Sequence, residues 1–329
     1  MTRDELVSLR RFGAVLDGYS ANIPTVAHLP PRTSGEPVLC AVIGTWFEGD
    51  VIAATVRNCF ANGCTRVLVV DNDSPDETKE QAVAAGATIA ADYRTELYDD
   101  TLRLRTMNDV AAAATAELDV PELWWLSLDA DEFPCGPDGQ PVLQYLQSLH
   151  EQYSVVGADV IDLYPSGPET YMPGDHPADR MPLGMRHPTD QTYCLRGHWK
   201  HPLLRAARGR LQLRQPRGSH TPFSRPDFGQ TLEPPRPLVV FHAPFRNKDV
   251  AARRLRALCG GDNRRRSAGD DASTGGRGAI TRWRSLDAVY AQRWSDVELY
   301  HPPGKLGRVV GVSLCPWQEL VNLTAFPRW

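Results

Sequence analysis

Short apolar runs that alternate with helical stretches are the feature of this chain that most constrains its fold. Four runs lie in the first half of the sequence, and segments with helix signals separate them. They are Val38–Ile43, Val67–Val70, Thr88–Ala90 and Trp124–Leu128. Strands that are apolar throughout and joined by helices are typical of a parallel sheet covered on both faces. The sequence therefore predicts an α/β fold.

The segments between the runs indicate where the helices lie. Apolar residues recur at helical spacing over Asp50–Ala61, and Gly63 ends that pattern. The stretch Ser74–Glu77 combines an N-cap serine, a proline at the first helical position and a glutamate three residues after the serine. It predicts a helix that runs to Gly86. A third helix is predicted at about Leu102–Glu117.

The second half is less regular. Helices are predicted at Pro141–His150 and Lys248–Leu258, and strands at Val155–Leu163 and Pro237–Phe241. Between residues 164 and 237 the chain is dense in proline, glycine and histidine. That composition predicts long loops around short strands.

Composition excludes several classes of partner. The net charge of -4 and the pI near 6.1 provide no basic field for nucleic acid. No apolar run approaches the roughly 18 residues of a membrane span, and Met1–Arg11 lacks the apolar core of a signal peptide. The seven cysteines include no C-x-x-C pair, which favours reduced thiols. We therefore expect a cytoplasmic protein without an integral membrane segment.

Polar side chains follow each of the four apolar runs. Thr45 and Glu48 follow the first run, Asp71 the second, Asp92 the third and Asp129–Glu132 the fourth. Ligands bind at the carboxyl ends of the strands in open parallel sheets. Carboxylates that converge there need a cation, and their oxygens suit Mg²⁺ or Mn²⁺, which bridge to substrate phosphates.

The tripeptide Asp129-Ala130-Asp131 has the geometry for such an ion. In an extended segment, residues two apart point to the same side, so both carboxylates can address one metal-bound diphosphate. A D-x-D tripeptide is common in solvated turns. Its position directly after the apolar run Trp124–Leu128 is what favours a functional role.

Together these motifs resemble the family 2 inverting glycosyltransferases, most closely the branch whose metal motif reads D-A-D-E-F. The similarity rests on Val42–Glu48, Val69–Thr78 and Leu128–Phe133, followed by Lys200–Arg205, Gly218–His220 and Val240–Arg246. The resemblance implies a GT-A fold: a Rossmann-like, mostly parallel sheet flanked by helices, with a less regular acceptor-binding half. It also implies a metal-dependent enzyme that transfers a sugar from a UDP-, GDP- or dTDP-linked donor to an acceptor alcohol with inversion.

The resemblance further implies roles for individual residues at the nucleotide. Thr45 and Glu48 would border the nucleotide, and Asp71 would hydrogen-bond the base. An arginine on the third helix would approach the donor. Both Arg103 and Arg105 qualify, and we favour Arg105 from its spacing to the asparagine three residues on. The alternative for Asp71 is a turn aspartate.

Metal and catalytic roles are implied in the same way. Asp131 would bind Mn²⁺ or Mg²⁺ directly, and Asp129 would face the ribose or the waters of the metal. Either His242 or His220 would complete the metal shell. Inversion needs a general base. We favour Asp175, and Glu132 is a second candidate that could instead bind the donor sugar; further candidates are Asp159, Asp162, Glu169, Asp190 and Asp227.

Five segments follow from this interpretation. They are an N-terminal accessory arm (1–36), a nucleotide-sugar-binding half (37–133), an acceptor-binding and metal-completing half (134–259), a mobile loop (260–279) and a C-terminal helical extension (280–329). Lack of a membrane segment favours a soluble small molecule or natural-product core as the acceptor.

Other classes of function would require different motifs. A dinucleotide-dependent oxidoreductase needs a G-x-G-x-x-G turn, which is missing after Val38–Ile43. A phosphohydrolase would carry its D-x-D after the first strand, and a nucleotidyltransferase would have a triphosphate loop there. A non-catalytic nucleotide- or sugar-binding protein of the same fold is the remaining alternative.

Overall fold

The computed structural model describes thirteen stretches of the chain. They are residues 36–95, 99–118, 120–149, 153–167, 175–186, 200–207, 210–211, 213–214, 223–224, 233–258, 285–299, 309–310 and 314–321. The predictions for the accessory arm up to residue 35, for His220, for the candidate bases Glu169, Asp190 and Asp227, and for the 260–279 loop lie outside this set.

The first half of the described chain forms the predicted α/β unit. Its elements are β1 (Val38–Thr45), α1 (Ile52–Ala61), β2 (Cys64–Asp71), α2 (Thr78–Ala84), β3 (Thr88–Asp92), α3 (Asp100–Glu117) and β4 (Glu122–Asp129). Strand β1 pairs in parallel with β2 on one side and β4 on the other, and β2 pairs in parallel with β3. The strand order therefore reverses direction between β1 and β4, which is where such sheets place their ligands.

Most strands of the second half extend the same sheet. Its strands are β5 (Glu132–Cys135), β6 (Val155–Tyr164), β7 (Leu183–Arg186), β8 (Lys200–Ala207), β9 (Arg210–Leu211), β10 (Leu213–Arg214), β11 (Phe223–Ser224), β12 (Leu238–His242), β13 (Glu298–Leu299), β14 (Val309–Val310) and β15 (Cys315–Pro316). Its helices are α4 (Val142–Ser148), α5 (Pro177–Arg180), α6 (Lys248–Leu258) and α7 (residues 285–290).

Strand β8 joins the two halves of the sheet. It pairs antiparallel with β4 on one side and with β6 on the other. Strand β12 then pairs in parallel with β6 and antiparallel with β5. Among the residues described, eleven strands form one sheet, so the predicted nucleotide-binding and acceptor-binding halves share a single scaffold.

Alternation along β1 explains why both faces of the sheet are covered. Leu39, Ala41 and Ile43 point into the larger apolar cluster, which includes α1. Cys40 and Val42 point into the second cluster, which is built around α3. Successive strand residues face opposite sides, so a strand apolar throughout must be buried on both.

Two helix starts differ from prediction. Helix α2 begins at Thr78, because the Ser74 hydroxyl donates to Asp71 (2.8 Å) instead of capping a helix. Helix α3 begins earlier than predicted, where the Asp99 carboxylate accepts the Leu102 amide (2.9 Å). Helices α1 and α6 end at Ala61 and Leu258 as predicted. None of the helices in the described stretches is both long and apolar enough to cross a membrane.

Asn62 joins three elements behind the sheet. Its side-chain amide donates to the Pro134 carbonyl of β5 (2.9 Å), and its side-chain oxygen accepts the Val142 amide at the start of α4 (2.9 Å). The side chain is fully buried. This bridge holds β5, which immediately follows the Asp129–Asp131 segment, against the end of α1.

Replacing Asn62 by alanine is expected to destabilise the fold by about 2–4 kcal/mol, because two buried backbone groups lose their partner. Urea unfolding followed by circular dichroism measures the effect. Gln81→Ala is the matched control, since its amide contacts only the exposed Glu77. Equal stability of the two variants would contradict the bridging role.

Candidate functional site

The candidate site lies at the carboxyl ends of β1, β4, β6 and β12. Strand register aligns Gly44 of β1 with Asp129 of β4. It also aligns His242 of β12 with Asp162 of β6 and with Glu132 of β5. The backbone amide of Ala243 donates to the Asp131 carbonyl (3.0 Å), which ties the end of β12 to the D-x-D segment.

Asp129 is held between two basic side chains. Its Oδ1 lies 2.5 Å from Arg103 Nη1, and its Oδ2 lies 2.6 Å from Lys200 Nζ. Burial raises the pKa of Asp129, but the Arg103 and Lys200 charges lower it by more, so the net pKa lies well below its usual range. Asp129 is therefore ionised at neutral pH, and both of its oxygens are engaged.

Arg103 reaches Asp129 because Gly44 leaves room for it. A Cβ atom at Gly44 would lie 3.0 Å from Arg103 Nη1 and 2.8 Å from Met107 Sδ. The guanidinium therefore passes over the bare backbone of β1. It also contacts Asp100 Oδ1 through Nη2 (2.9 Å), which fixes it from the side opposite Asp129.

The preference for Arg105 over Arg103 as the donor-facing arginine is not supported by the structure. Arg105 has a side chain that is 78% exposed and pairs loosely with Asp109 on the same helix (3.8 Å). The buried face of α3 carries Leu104, Met107 and Ala111. Two residues correspond to a rotation of about 200° on a helix, so Arg105 points away from the sheet edge that Arg103 faces.

Asp131 lies deeper than Asp129. Its Oδ2 is 3.6 Å from His242 Nε2 and 3.6 Å from Arg246 Nη1, and the residue is fully buried. The other ring nitrogen of His242, Nδ1, lies 2.6 Å from Asp162 Oδ1. Because an ionised carboxylate only accepts, Asp162 favours a proton on Nδ1 and directs Nε2 towards Asp131.

Arg246 gathers three carboxylates from distant parts of the chain. Its guanidinium contacts Glu48 and Asp50 in the β1–α1 connection, as well as Asp131. Burial alone would lower the pKa of Arg246, but Asp50, Glu48 and Asp131 raise it well above its usual range. A permanent buried cation therefore fixes the loop after β1 against the D-x-D segment.

Glu48 and Asp71 each have protein partners at the edge of the crevice, and their contacts with the nucleotide stay predictions. Glu48 is buried and ion-paired with Arg246. Asp71 is 0% exposed, and its carboxylate accepts from the Ser74 amide (2.7 Å) and from the Thr45 hydroxyl (2.6 Å). In this conformation Asp71 organises the turn after β2, which is the turn-aspartate alternative, and Thr45 is buried with it.

The two catalytic candidates differ in accessibility. Glu132 is 1% exposed; its Oε2 accepts the Asp129 amide (3.1 Å), and its Oε1 pairs with Lys200. Burial is the main reason that its pKa is raised. Asp175 is more accessible and pairs with Arg180 (2.8 Å). Glu132 therefore supports the backbone of Asp129, and the base role of Asp175 stays a prediction.

The ligand atoms of Asp131 and His242 suit one divalent ion whose coordination shell the substrate would complete. Within the described stretches, no group of three or more His, Cys, Asp or Glu residues is arranged to hold a metal. Asp131 and His242 nevertheless present an oxygen and a nitrogen 3.6 Å apart, with Asp162 behind the imidazole in the manner of a metal-binding histidine. Mg²⁺ and Mn²⁺ sites commonly use few protein ligands and take the rest from phosphates and water.

Three site residues escaped individual assignment from the sequence. Lys200 and Arg246 lie in segments that carried the resemblance, but no role was given to them, and Asp162 was only one of several candidate bases. The sequence signal for these residues is their position relative to the predicted strands and to His242. Asp162 falls near the end of a predicted strand, and Arg246 lies four residues after His242.

Arg103→Met is expected to lower the free energy of unfolding by about 2–4 kcal/mol, because Asp100 and Asp129 lose their shared cation. Arg105→Met is the matched control on the same helix and should stay within about 0.5 kcal/mol of the parent. Chemical denaturation of the two variants measures the difference. A larger loss of unfolding free energy for Arg105→Met than for Arg103→Met would refute the placement of Arg103 beside Asp129.

Comparison with known proteins gives limited similarity. No family model matches the chain, and neither does any curated protein. Among solved structures, the chain is similar to glucosyl-3-phosphoglycerate synthase from Mycobacterium tuberculosis in complex with Mn²⁺, uridine diphosphate and glucosyl-3-phosphoglycerate. The identity is 15% and the TM-score 0.26, over 42% of this chain and 51% of that one.

A second similar structure is mannosyl-3-phosphoglycerate synthase from Rubrobacter xylanophilus. The identity is 20% and the TM-score 0.26, over 37% of this chain and 40% of that chain. The chain thus spans about half or less of the length of the solved structures it matches. A similarity of this extent does not establish a shared activity.

Proposed function

We propose that this protein is a GT-A glycosyltransferase that moves a sugar from a nucleotide-sugar donor to an acceptor hydroxyl. The observation that carries the proposal is the placement of Asp129 and Asp131. Both lie at the carboxyl end of β4, beside β1, where the strand order reverses. That position is a ligand crevice in open α/β sheets, and it brings the two carboxylates next to basic side chains.

The charges at the crevice suit a nucleoside diphosphate. Arg103 and Lys200 flank Asp129, and Arg246 lies behind Asp131. A diphosphate group is negatively charged, so a divalent ion held at Asp131 would neutralise it, while the basic side chains offset the charge of the carboxylates. The buried carboxylates keep these basic side chains in fixed positions before the donor arrives.

Asp131 and His242 are the residues that would hold a divalent ion. A bound Mn²⁺ or Mg²⁺ supplies a positive charge that neutralises the diphosphate leaving group. Asp162 keeps His242 oriented, and Arg246 keeps Asp131 in place. Asp129, held by Arg103 and Lys200, is left to face the ribose.

The acceptor-binding half would supply the general base and bind the acceptor. Inversion requires a base on the face of the sugar opposite the leaving diphosphate. Asp175 has the accessibility that this role needs, whereas Glu132 does not. We infer that the acceptor is an alcohol of a soluble small molecule or natural-product core, because no apolar run in the sequence is long enough to span a membrane.

Purified protein is expected to hydrolyse a nucleotide sugar slowly and to do so faster with Mn²⁺ than with a chelator. A panel of UDP-, GDP- and dTDP-linked sugars, followed by release of the nucleoside diphosphate, identifies the donor. Asp131→Asn should lower this rate by at least about tenfold, because it removes the charge that binds the ion.

Asp138→Asn is the matched control for Asp131→Asn. Asp138 is half exposed, pairs with Arg236 at the surface and should leave the rate unchanged. Metal-dependent donor binding with no turnover of any donor would favour the non-catalytic binding protein. Turnover by Asp131→Asn equal to that of the parent would refute the proposed catalytic site.

A further inference from the structure

Lys200 has an unusual setting for a lysine. It is the first residue of β8, the strand between β4 and β6, and its side chain is only 12% exposed. Its ammonium group lies between two carboxylates that are three residues apart in the sequence. It contacts Asp129 Oδ2 at 2.6 Å and pairs with Glu132 Oε1.

An ionised pair of carboxylates is costly to bury without a cation. Glu132 is 1% exposed, and the cost of moving an ionised carboxylate out of water is several kcal/mol even after relaxation. The other oxygen of Glu132 accepts the backbone amide of Asp129, so the two residues form one unit. A single positive charge between their facing oxygens satisfies both.

The lysine charge is permanent under ordinary conditions. Burial lowers the pKa of Lys200, but Asp129 and Glu132 raise it by more, so it lies above its usual range. A divalent ion at the same place would have to displace the ammonium group from two short contacts. Arg103 occupies the remaining oxygen of Asp129.

The site at Asp131 is different. Its neighbours include His242, whose Nε2 is a metal-ligand nitrogen, and no lysine lies there among the described residues. The two acidic residues of the D-x-D motif are therefore in unlike surroundings. One carboxylate has both oxygens in close contact with cationic side chains, and the other lies 3.6 Å from both the Arg246 guanidinium and an imidazole that Asp162 orients.

We propose that the Lys200 ammonium group is a built-in counter-ion that takes the place of a divalent cation between Asp129 and Glu132. Among the described residues this leaves one position for a divalent ion, and Asp129 is not among its ligands. The part that assigns this ion to Asp131 and His242 rests on the proposed function. Lys200 is a positioning residue that acts through Asp129.

Lys200→Met removes the charge and keeps the length of the side chain. In a chelator, the melting temperature of this variant is expected to fall by about 5–10 °C, because two carboxylates lose their cation. Millimolar Mn²⁺ should raise the melting temperature of K200M by more than it raises that of the parent, since the position emptied by the lysine now accepts an ion. Titration of free Mn²⁺ by electron paramagnetic resonance should count one ion for the parent and two for K200M.

Two controls make the result specific. Lys248→Met removes a half-exposed lysine that pairs with Asp287, so it should show neither the fall nor the restoration. The double variant Lys200→Met with Glu132→Gln removes one carboxylate of the pair and should lose the additional ion. Restoration of K248M to the same degree as K200M would mean that Mn²⁺ acts nonspecifically, and would overturn the proposal.

The parent protein and the Glu132→Gln variant also decide the matter if K200M does not fold. Two bound Mn²⁺ ions on the parent, with one lost in Glu132→Gln, would show that a metal already lies at the Asp129–Glu132 pair. Failure of Mn²⁺ to restore K200M would equally overturn the proposal. These readouts do not involve sugar transfer, so they stay separate from donor hydrolysis and its loss in Asp131→Asn.

Discussion

Neutralisation of buried carboxylates by three basic side chains is the interaction on which the rest of this site depends. Arg103, Lys200 and Arg246 each contact at least two acidic groups at the carboxyl edge of the sheet. A buried carboxylate without a partner would take up a proton or destabilise the fold, so these contacts set both the charge and the shape of the crevice. Arg103 comes from α3, Lys200 from β8 and Arg246 from the connection after β12, so the site forms only when these parts of the fold are assembled.

The sequence predicted the local architecture because that part of the fold depends on short-range patterns. Apolar runs, helix spacing and the glycine after Ala61 identify β1, α1, β2 and β4 from neighbouring residues alone. The placement of Asp129 and Asp131 at a strand end follows from the same patterns. Lys200 contacts Asp129 across 71 residues and Arg246 contacts Asp50 across 196, and no local pattern encodes such pairs. Only the register of β8 and β12 brings them to the edge.

Two expectations from the sequence differ from the structure, for different physical reasons. The choice of Arg105 ignored the phase of the helix, which the buried Leu104 and Met107 define and which places Arg103 on the sheet side. The stretch Ser74–Glu77 predicts that Ser74 caps a helix, but its hydroxyl donates to Asp71 across the turn after β2, and the nucleotide contact of Asp71 stays a prediction. Serine and aspartate side chains compete with secondary structure by forming local bonds, so Ser74 had two favourable partners and the tertiary packing of Thr45 selected one.

The two carboxylates of the D-x-D motif differ because the chain turns between them. Asp129 is the last residue of β4, so long side chains from α3 and β8 can reach it from both sides. Asp131 lies two residues later, where the backbone turns back into β5. The Asp131 carbonyl accepts the Ala243 amide at the end of β12. That turn buries Asp131 among groups whose positions β6 and β12 fix. Identical residue types two positions apart thus acquire unlike partners from strand pairing, and the motif supplies one restrained anion and one carboxylate poised beside an imidazole.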